Sequence, residues 1–276
     1  MNPFITFRSK AFQFSKEIYQ LSRKDGHNQK TTLLIIGCQR SGTSLMTRIF
    51  NKDWNAKVYF ESSSLSVQIG EEKLRLKPLP VLKQVIDRER FPLIVLKPLV
   101  ETQNSPELLD YLPNAKAIWM YRHYRDAACS LVRRFGLGDG ISNLRYIVLD
   151  QVDDWRAENV PNHVKQAVLT YFSENMNPYD AAALFWYVRN AFFFELGLDC
   201  HSSVMPCKYE ELVDYPEQTL KRIYGFISRP YPGDNILKNI HNSSVGRGSQ
   251  LKLSEEIEGR CQQLWEQLEY QGHSFT

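Results

Sequence analysis

The chain reads as a single α/β domain with a central parallel sheet flanked by helices. Three observations predict this. Thr31 to Phe50, TTLLIIGCQRSGTSLMTRIF, passes from an apolar stretch through small polar residues into apolar residues at helical spacing, which is strand, tight loop and helix. Two further unbroken apolar runs, Phe91–Leu96 and Ala117–Tyr121, suit strands buried on both faces, as parallel strands are. The length of 276 residues, 43% hydrophobic and 24% charged, is ample for one such domain and its core.

Taken in order, residues 1–30 form an N-terminal amphipathic helix and a connector. Phe4, Ile5, Phe7, Phe12, Phe14, Ile18, Tyr19 and Leu21 are set among Arg8, Lys10, Lys16 and Arg23, and the polar run Arg23 to Lys30 follows. A basic amphipathic helix either packs its apolar stripe on its own domain, the commoner arrangement, or lies on an anionic membrane surface. Residues 31–276 form the main domain.

That domain opens on the phosphate-binding frame G-x-x-x-x-G-x-[ST], at Gly37, Gly42 and Ser44. Backbone N–H groups from Arg40 through Ser41, Thr43 and Ser44 converge at a helix start, where unsatisfied donors and the positive dipole end favour an anion. The lysine that nucleoside-triphosphate enzymes place before the Ser/Thr is replaced by Thr43, and the positive charge sits at Arg40 instead. This argues against ordinary kinase or ATPase chemistry.

Lys57–Phe60 predicts a second strand that ends on Glu61. Groups just past the carboxyl ends of strands face the ligand crevice of an open α/β sheet, so Glu61 is placed either to meet a substrate or to cap the turn at Ser62–Ser64. Residues 71 to 90 read as a charged helix around Val81, Leu82, Val85 and Ile86. The strand Phe91–Leu96 then ends on Lys97, followed by Glu101. Ala117–Tyr121 ends on Arg122, and Asp126 suits the first turn of the helix that carries Ser130, Leu131 and Val132. A guanidinium and a hydroxyl at this spacing can hold a dianionic phosphate.

Gly136–Gly140 is a glycine-containing break. Residues 178–197 predict a long helix with Ala181, Leu184, Phe185, Val188, Phe192 and Leu196 as its buried stripe; Trp186, Arg189 and Asn190 on it are candidates either for core or for a substrate pocket. Ser203–Cys207 predicts a strand, Gln218–Ile227 a helix, and Asn242–Ser249 a polar basic loop before a helix over Ser254–Leu268.

The loop Arg40-Ser41-Gly42-Thr43-Ser44 after a hydrophobic strand, together with Arg122 and Ser130 in a strand-R-x-x-x-D-helix frame, resembles the sulfotransferases that use 3′-phosphoadenylyl sulfate (PAPS). Tyr209-Glu210-Glu211-Leu212-Val213 followed by Pro216 is similar to a further segment of that family, to which no chemistry is assigned. The resemblance implies a nucleotide-kinase-like sulfotransferase fold. It implies a 5′-phosphosulfate loop from Gly37 to Ser44, and a 3′-phosphate site from Arg122 and Ser130, closed by a late loop holding Arg247 and Gly248. In cytosolic members a histidine two residues after the strand-end lysine is the base. Here Leu99 stands there, so Lys97 and Arg40 are the expected catalytic cations, and Glu61, with Glu101 in reserve, the expected base. The implied reaction moves a sulfuryl group from PAPS to a hydroxyl, less readily an amine, and leaves PAP, with no metal. An atypical kinase using Mg²⁺ and ATP, and a silent PAP-binding module, are the alternatives.

Composition bounds the partners. A net charge of +3 gives no support to a nucleic-acid partner, which leaves a small-molecule, carbohydrate or lipid acceptor. Five cysteines without metal-ligand spacing read as reduced thiols of a cytoplasmic chain, with a Cys200–Cys207 bridge the alternative. No run approaches the roughly 18 apolar residues of a membrane span, and no signal-peptide core is present. Golgi sulfotransferases carry a membrane anchor, so the resemblance is to the bacterial type.

Overall fold

The computed structural model describes residues 3–22, 30–69 and 72–274. The connector expected at Arg23 to Lys30 falls largely outside the described residues, as do the side chains of Phe4, Ile5 and Phe7.

The chain runs α1 (Pro3–Ser22), β1 (Thr31–Gly37), α2 (Thr43–Phe50), β2 (Ala56–Tyr59), β3 (Ser66–Ile69), β4 (Glu72–Leu76) and α3 (Leu79–Arg88). It continues through β5 (Leu93–Leu96), a 3₁₀ turn (Leu99–Asn104), α4 (Ser105–Tyr111), β6 (Ala115–Tyr121), α5 (Tyr124–Phe135), α6 (Asp139–Val148) and α7 (Asn162–Tyr171). It closes with α8 (Pro178–Glu195), β7 (Val204–Lys208), α9 (Tyr209–Asp214), α10 (Pro216–Phe226) and α11 (Glu255–Ser274).

Five of the strands form one parallel sheet in the order β2-β5-β1-β6-β7, with β1 at its centre. Alternation along β1 feeds two cores: Leu34 and Ile36 enter one face, Leu33 and Ile35 the other, all fully buried. Burial on both faces is why this strand is apolar without interruption. The expected single α/β domain with a helix-flanked parallel sheet is the fold observed.

Two local expectations are corrected. Glu72–Leu76 is a strand, not part of a helix; it pairs antiparallel with β3 as a separate two-stranded sheet, and the helix begins only at Leu79. The alternation of Leu74 and Leu76 with Lys73 and Arg75 is a period of two, the signature of a strand. The second correction concerns α8, which has no single stripe. It is buried nearly all round, from Asp180 to Phe193, because α5, α6 and α11 pack against it on different sides. Trp186, Arg189 and Asn190 are consequently core residues: the Trp186 indole donates to the Arg122 carbonyl at 3.0 Å, and Arg189 is fully buried. All five cysteines are free thiols, with Cys38, Cys207 and Cys261 buried and Cys200 exposed.

Candidate active site

The loop between β1 and α2 is shaped by two glycines and one left-handed arginine. Gly37 has φ +119°, and a Cβ there would lie 2.3 Å from the Met120 carbonyl oxygen on β6. Gly42 has φ +92°, and its Cβ would meet the Tyr209 ring at 2.5 Å. Arg40 takes φ +66°, a conformation that costs a non-glycine residue about 1 kcal/mol or more. The first backbone hydrogen bond of α2 runs from Met46 N–H to the Gly42 carbonyl at 3.0 Å. The amides of Thr43, Ser44 and Leu45 precede it, as the free donors of a helix start do.

Three strand ends converge on this loop. Lys97, just past β5, is nearly buried; its Nζ donates to Ser44 Oγ at 3.0 Å and to Glu61 Oε2 at 2.7 Å. Glu61 follows β2, the sheet neighbour of β5, which is why the two side chains meet. Arg122 follows β6. Its guanidinium lies 4.5 Å over the Tyr209 ring, and its Nη2 donates to Asp126 at 3.3 Å and to the Ser244 carbonyl. Arg122 Nε and Ser41 Oγ are buried without a protein partner. Nearly two turns into α5, Ser130 Oγ accepts from Arg40 Nε at 3.1 Å.

Two cavities share this floor. One, of about 360 Å³, is ringed by Arg40, Arg48, Arg122, Arg133 and Arg134. Burial, together with the charges of Arg134, Arg122, Arg133 and Arg48, lowers the Arg40 pKa, the mark of a cation cluster short of anions. Of the five guanidinium groups, Arg122 has a paired carboxylate, that of Asp126. The second cavity, about 470 Å³, lies on the Lys97 side. Glu61, Lys97, Asp139, Asn143 and Arg156 are among its polar lining, and Leu99, Leu131, Trp155 and Phe185 supply apolar wall. Arg40, Thr43, Ser44 and Arg134 border both spaces.

Most of the expected site residues are therefore assembled, but two are not. Glu101 sits in the 3₁₀ turn with its oxygens taken by Leu76 N–H (2.9 Å), Arg75 (3.0 Å) and the Asn104 amide (3.0 Å), and it lines neither cavity. Arg247 is exposed and donates to the Ser243 carbonyl at 2.7 Å. Gly248 N–H and Gly246 N–H are instead held by the two oxygens of Asp126, at 2.6 and 2.8 Å. Three residues went unnoticed in the sequence, and a fourth, Tyr209, was given no role there. Arg133 and Arg134 lie three and four places after Ser130, and Arg48 four after Ser44, so helical spacing alone carried that signal. Tyr209 stood out only as part of a family-like segment, and its contact with Arg122 was hidden because the two are remote along the chain.

An arginine-ringed cavity with free helix-start amides, an orphaned guanidinium nitrogen and a buried orphan hydroxyl fits a ligand bearing more than one phosphate-like group. Residues 30–263 match the family model described as the sulfotransferase domain. Among solved structures, the chain is similar to the sulfotransferase domain from the Synechococcus PCC 7002 olefin synthase, with 16% identity and a TM-score of 0.54 over 90% of this chain and 98% of that one. It is also similar to the sulfotransferase domain from the curacin biosynthetic pathway, with 14% identity and a TM-score of 0.54 over 87% and 98% of the two chains. At these identities the likeness is one of fold. No curated protein matches the chain in sequence.

Proposed function

The chain belongs to the sulfotransferase domain family, and on that premise we propose that it uses PAPS to sulfate a hydroxyl of a small-molecule, carbohydrate or lipid acceptor. The observation that carries this reading is the arginine cavity sharing Arg40, Thr43, Ser44 and Arg134 with the cleft that holds the Lys97–Glu61 pair. When bound, PAPS supplies the sulfuryl group and leaves as PAP.

This chain's own residues divide the work. The loop amides and the hydroxyls of Thr43 and Ser44 hold the 5′-phosphate. Arg122 and Ser130 hold the 3′-phosphate, with the Gly246–Gly248 segment over them. Arg40 lies between the two sides, bonded to Ser130 and bordering both cavities, so its charge serves both phosphates. Lys97 stabilises negative charge on the bridging side, and Glu61 takes the acceptor proton. Glu101, consumed by Arg75, Leu76 and Asn104, is the weaker candidate base. Leu99, where relatives of the cytosolic type are expected to carry histidine, forms apolar wall of the acceptor cleft. The five free thiols suit a reducing, cytoplasmic compartment, and no helix among the described residues is long and apolar enough to cross a membrane.

Thermal unfolding with PAP, ADP, and ATP plus Mg²⁺ tests the donor. A ligand at a hundred times its Kd stabilises the native state by about 2.7 kcal/mol. The expected result is a raised melting temperature with PAP, diminished in Arg122→Ala by the loss of charge-assisted bonds worth about 1.5–3 kcal/mol each. A shift with Mg²⁺ and ATP but none with PAP would replace this reading with an atypical kinase.

A further inference from the structure

Helix α1 is mounted inside out. Its buried side is polar: Lys16 is fully buried with Nζ donating to the Asn51 carbonyl at 3.3 Å, and Gln20 donates to the Trp54 carbonyl at 2.8 Å. Gln13 donates to the Asn51 side chain at 2.8 Å. Its outer side is apolar, with Phe14, Ile18 and Leu21 exposed by 63%, 50% and 56%. Ala11 is exposed on the same side, and by spacing alone Phe4 and Phe7 continue the series. The intervals alternate three and four, so the apolar residues form one straight narrow seam. At its edge, Tyr19 and Trp54 are both partly exposed and packed edge to face at 5.6 Å.

An apolar seam turned to the outside needs a covering partner, and charge identifies it. Residues 1–30 hold six lysines and arginines against two acids, a larger excess than the +3 of the whole chain. By heptad position Arg8 and Lys10 flank the seam, and the one acid beside it, Glu17, is paired with Lys57 at 2.8 Å. A second copy would bring these basic positions no free acid, since its own Glu17 is likewise paired with Lys57. A negatively charged surface would neutralise them.

We propose that the outer face of α1 docks on an anionic lipid bilayer. The helix lies in the plane of the interface with Phe14, Ile18 and Leu21 among the upper acyl chains. Tyr19 and Trp54, each with an apolar ring and a polar tip, sit at headgroup level. This docking stands on its own observations, apart from the donor site.

The test is co-sedimentation of the full chain with vesicles of phosphatidylcholine alone and of phosphatidylcholine mixed with phosphatidylglycerol, at low and high salt, with light scattering to follow oligomeric state. The expected result is binding to the mixed vesicles roughly tenfold stronger than to the neutral ones, weakened by salt. It is lost in Phe14→Gln/Ile18→Gln/Leu21→Gln, whose replacements lie away from the buried side of α1. Arg8→Gln/Lys10→Gln, which leaves the apolar residues in place, should bind more weakly with less salt dependence, and an unchanged circular dichroism spectrum with cooperative thermal unfolding shows that each variant is folded. Absence of binding to mixed vesicles overturns the proposal, as does binding that neither variant alters. A concentration-dependent dimer abolished by the triple change, without vesicle binding, overturns it in favour of a second copy.

Discussion

Lys97 has two partners at once, the Ser44 hydroxyl and the Glu61 carboxylate, and they belong to different halves of the site. Ser44 opens α2, where a phosphate would rest; Glu61 stands where an acceptor would enter. Replacing Glu61 by Gln keeps the shape but removes the proton acceptor, so single-turnover transfer from PAPS should fall about 10²-fold or more, while PAP titration stays close to wild type. An equal loss of PAP affinity would move Glu61 from catalysis to donor binding. Arg40→Ala should also cost about 10²-fold or more in transfer rate, now with weakened PAP binding, because Arg40 borders both cavities. At this scale the sequence was informative where residues are neighbours in the chain or at a strand end. Gly37, Gly42, Arg122 and Lys97 follow from that logic. Glu101 did not, because whether a carboxylate is free depends on Arg75, which the hairpin delivers to it.

Among the elements, the segment from Ser244 to Gly248 is fastened by three side chains: Arg122 and Tyr209 hold Ser244, and Asp126 holds the two glycines. Asp126 binds the amides of Gly246 and Gly248 and also the guanidinium of Arg122, so loop and arginine share that anchor. Gly248 lies against α5 so closely that a Cβ would stand 2.4 Å from the Arg125 carbonyl carbon. Gly248→Ala should therefore lift the segment off α5 and lower PAP affinity by roughly tenfold, the equivalent of one charge-assisted hydrogen bond. Its effect on the melting temperature without ligand should be small, since the loop is largely exposed. Calorimetric titration of PAP, beside a thermal scan of the free protein, checks both. The loop's existence was legible in its Asn, Ser and Gly content, whereas its attachment was not, since Asp126 is remote in sequence. The β3–β4 hairpin was missed for another reason: a charged stretch leading into a true helix hides a short alternation. The burial of α8 escaped periodicity because a helix surrounded on several sides has no polar face to reveal a phase.

For the molecule as a whole, the mounting of α1 has a pH signature. Burial is the main cause that lowers the Lys16 pKa from 10.5 to about 8, against the opposing charge of Asp53. Below pH 8 both folded and unfolded chains carry this proton and the burial penalty is constant. Between pH 8 and 10.5 the unfolded chain still binds it and the folded chain does not, so this group's contribution to stability rises with pH. Lys16→Met removes that dependence. The difference in melting temperature between variant and wild type should shift in favour of the wild type as pH climbs through this window, measured by calorimetry at each end. A difference that stays flat would place Lys16 in solvent. The parallel sheet around β1 was legible because three apolar runs had no polar face; the side on which α1 rests was not, since the expectation of an apolar stripe packed on the domain is overturned by Lys16 and Gln20 facing inward and Phe14, Ile18 and Leu21 outward.

The common border of the two cavities, where Arg40, Thr43, Ser44 and Arg134 face both, has a pharmacological consequence. A compound that tethers a nucleotide bisphosphate to an apolar alcohol needs only a short linker to occupy both spaces. Its second half then binds at the millimolar effective concentration that such a linker creates. Even an alcohol too weak to detect alone would add measurably to the affinity of the nucleotide half, and the gain from successive alcohols would rank the cleft's preferences before any natural acceptor is in hand.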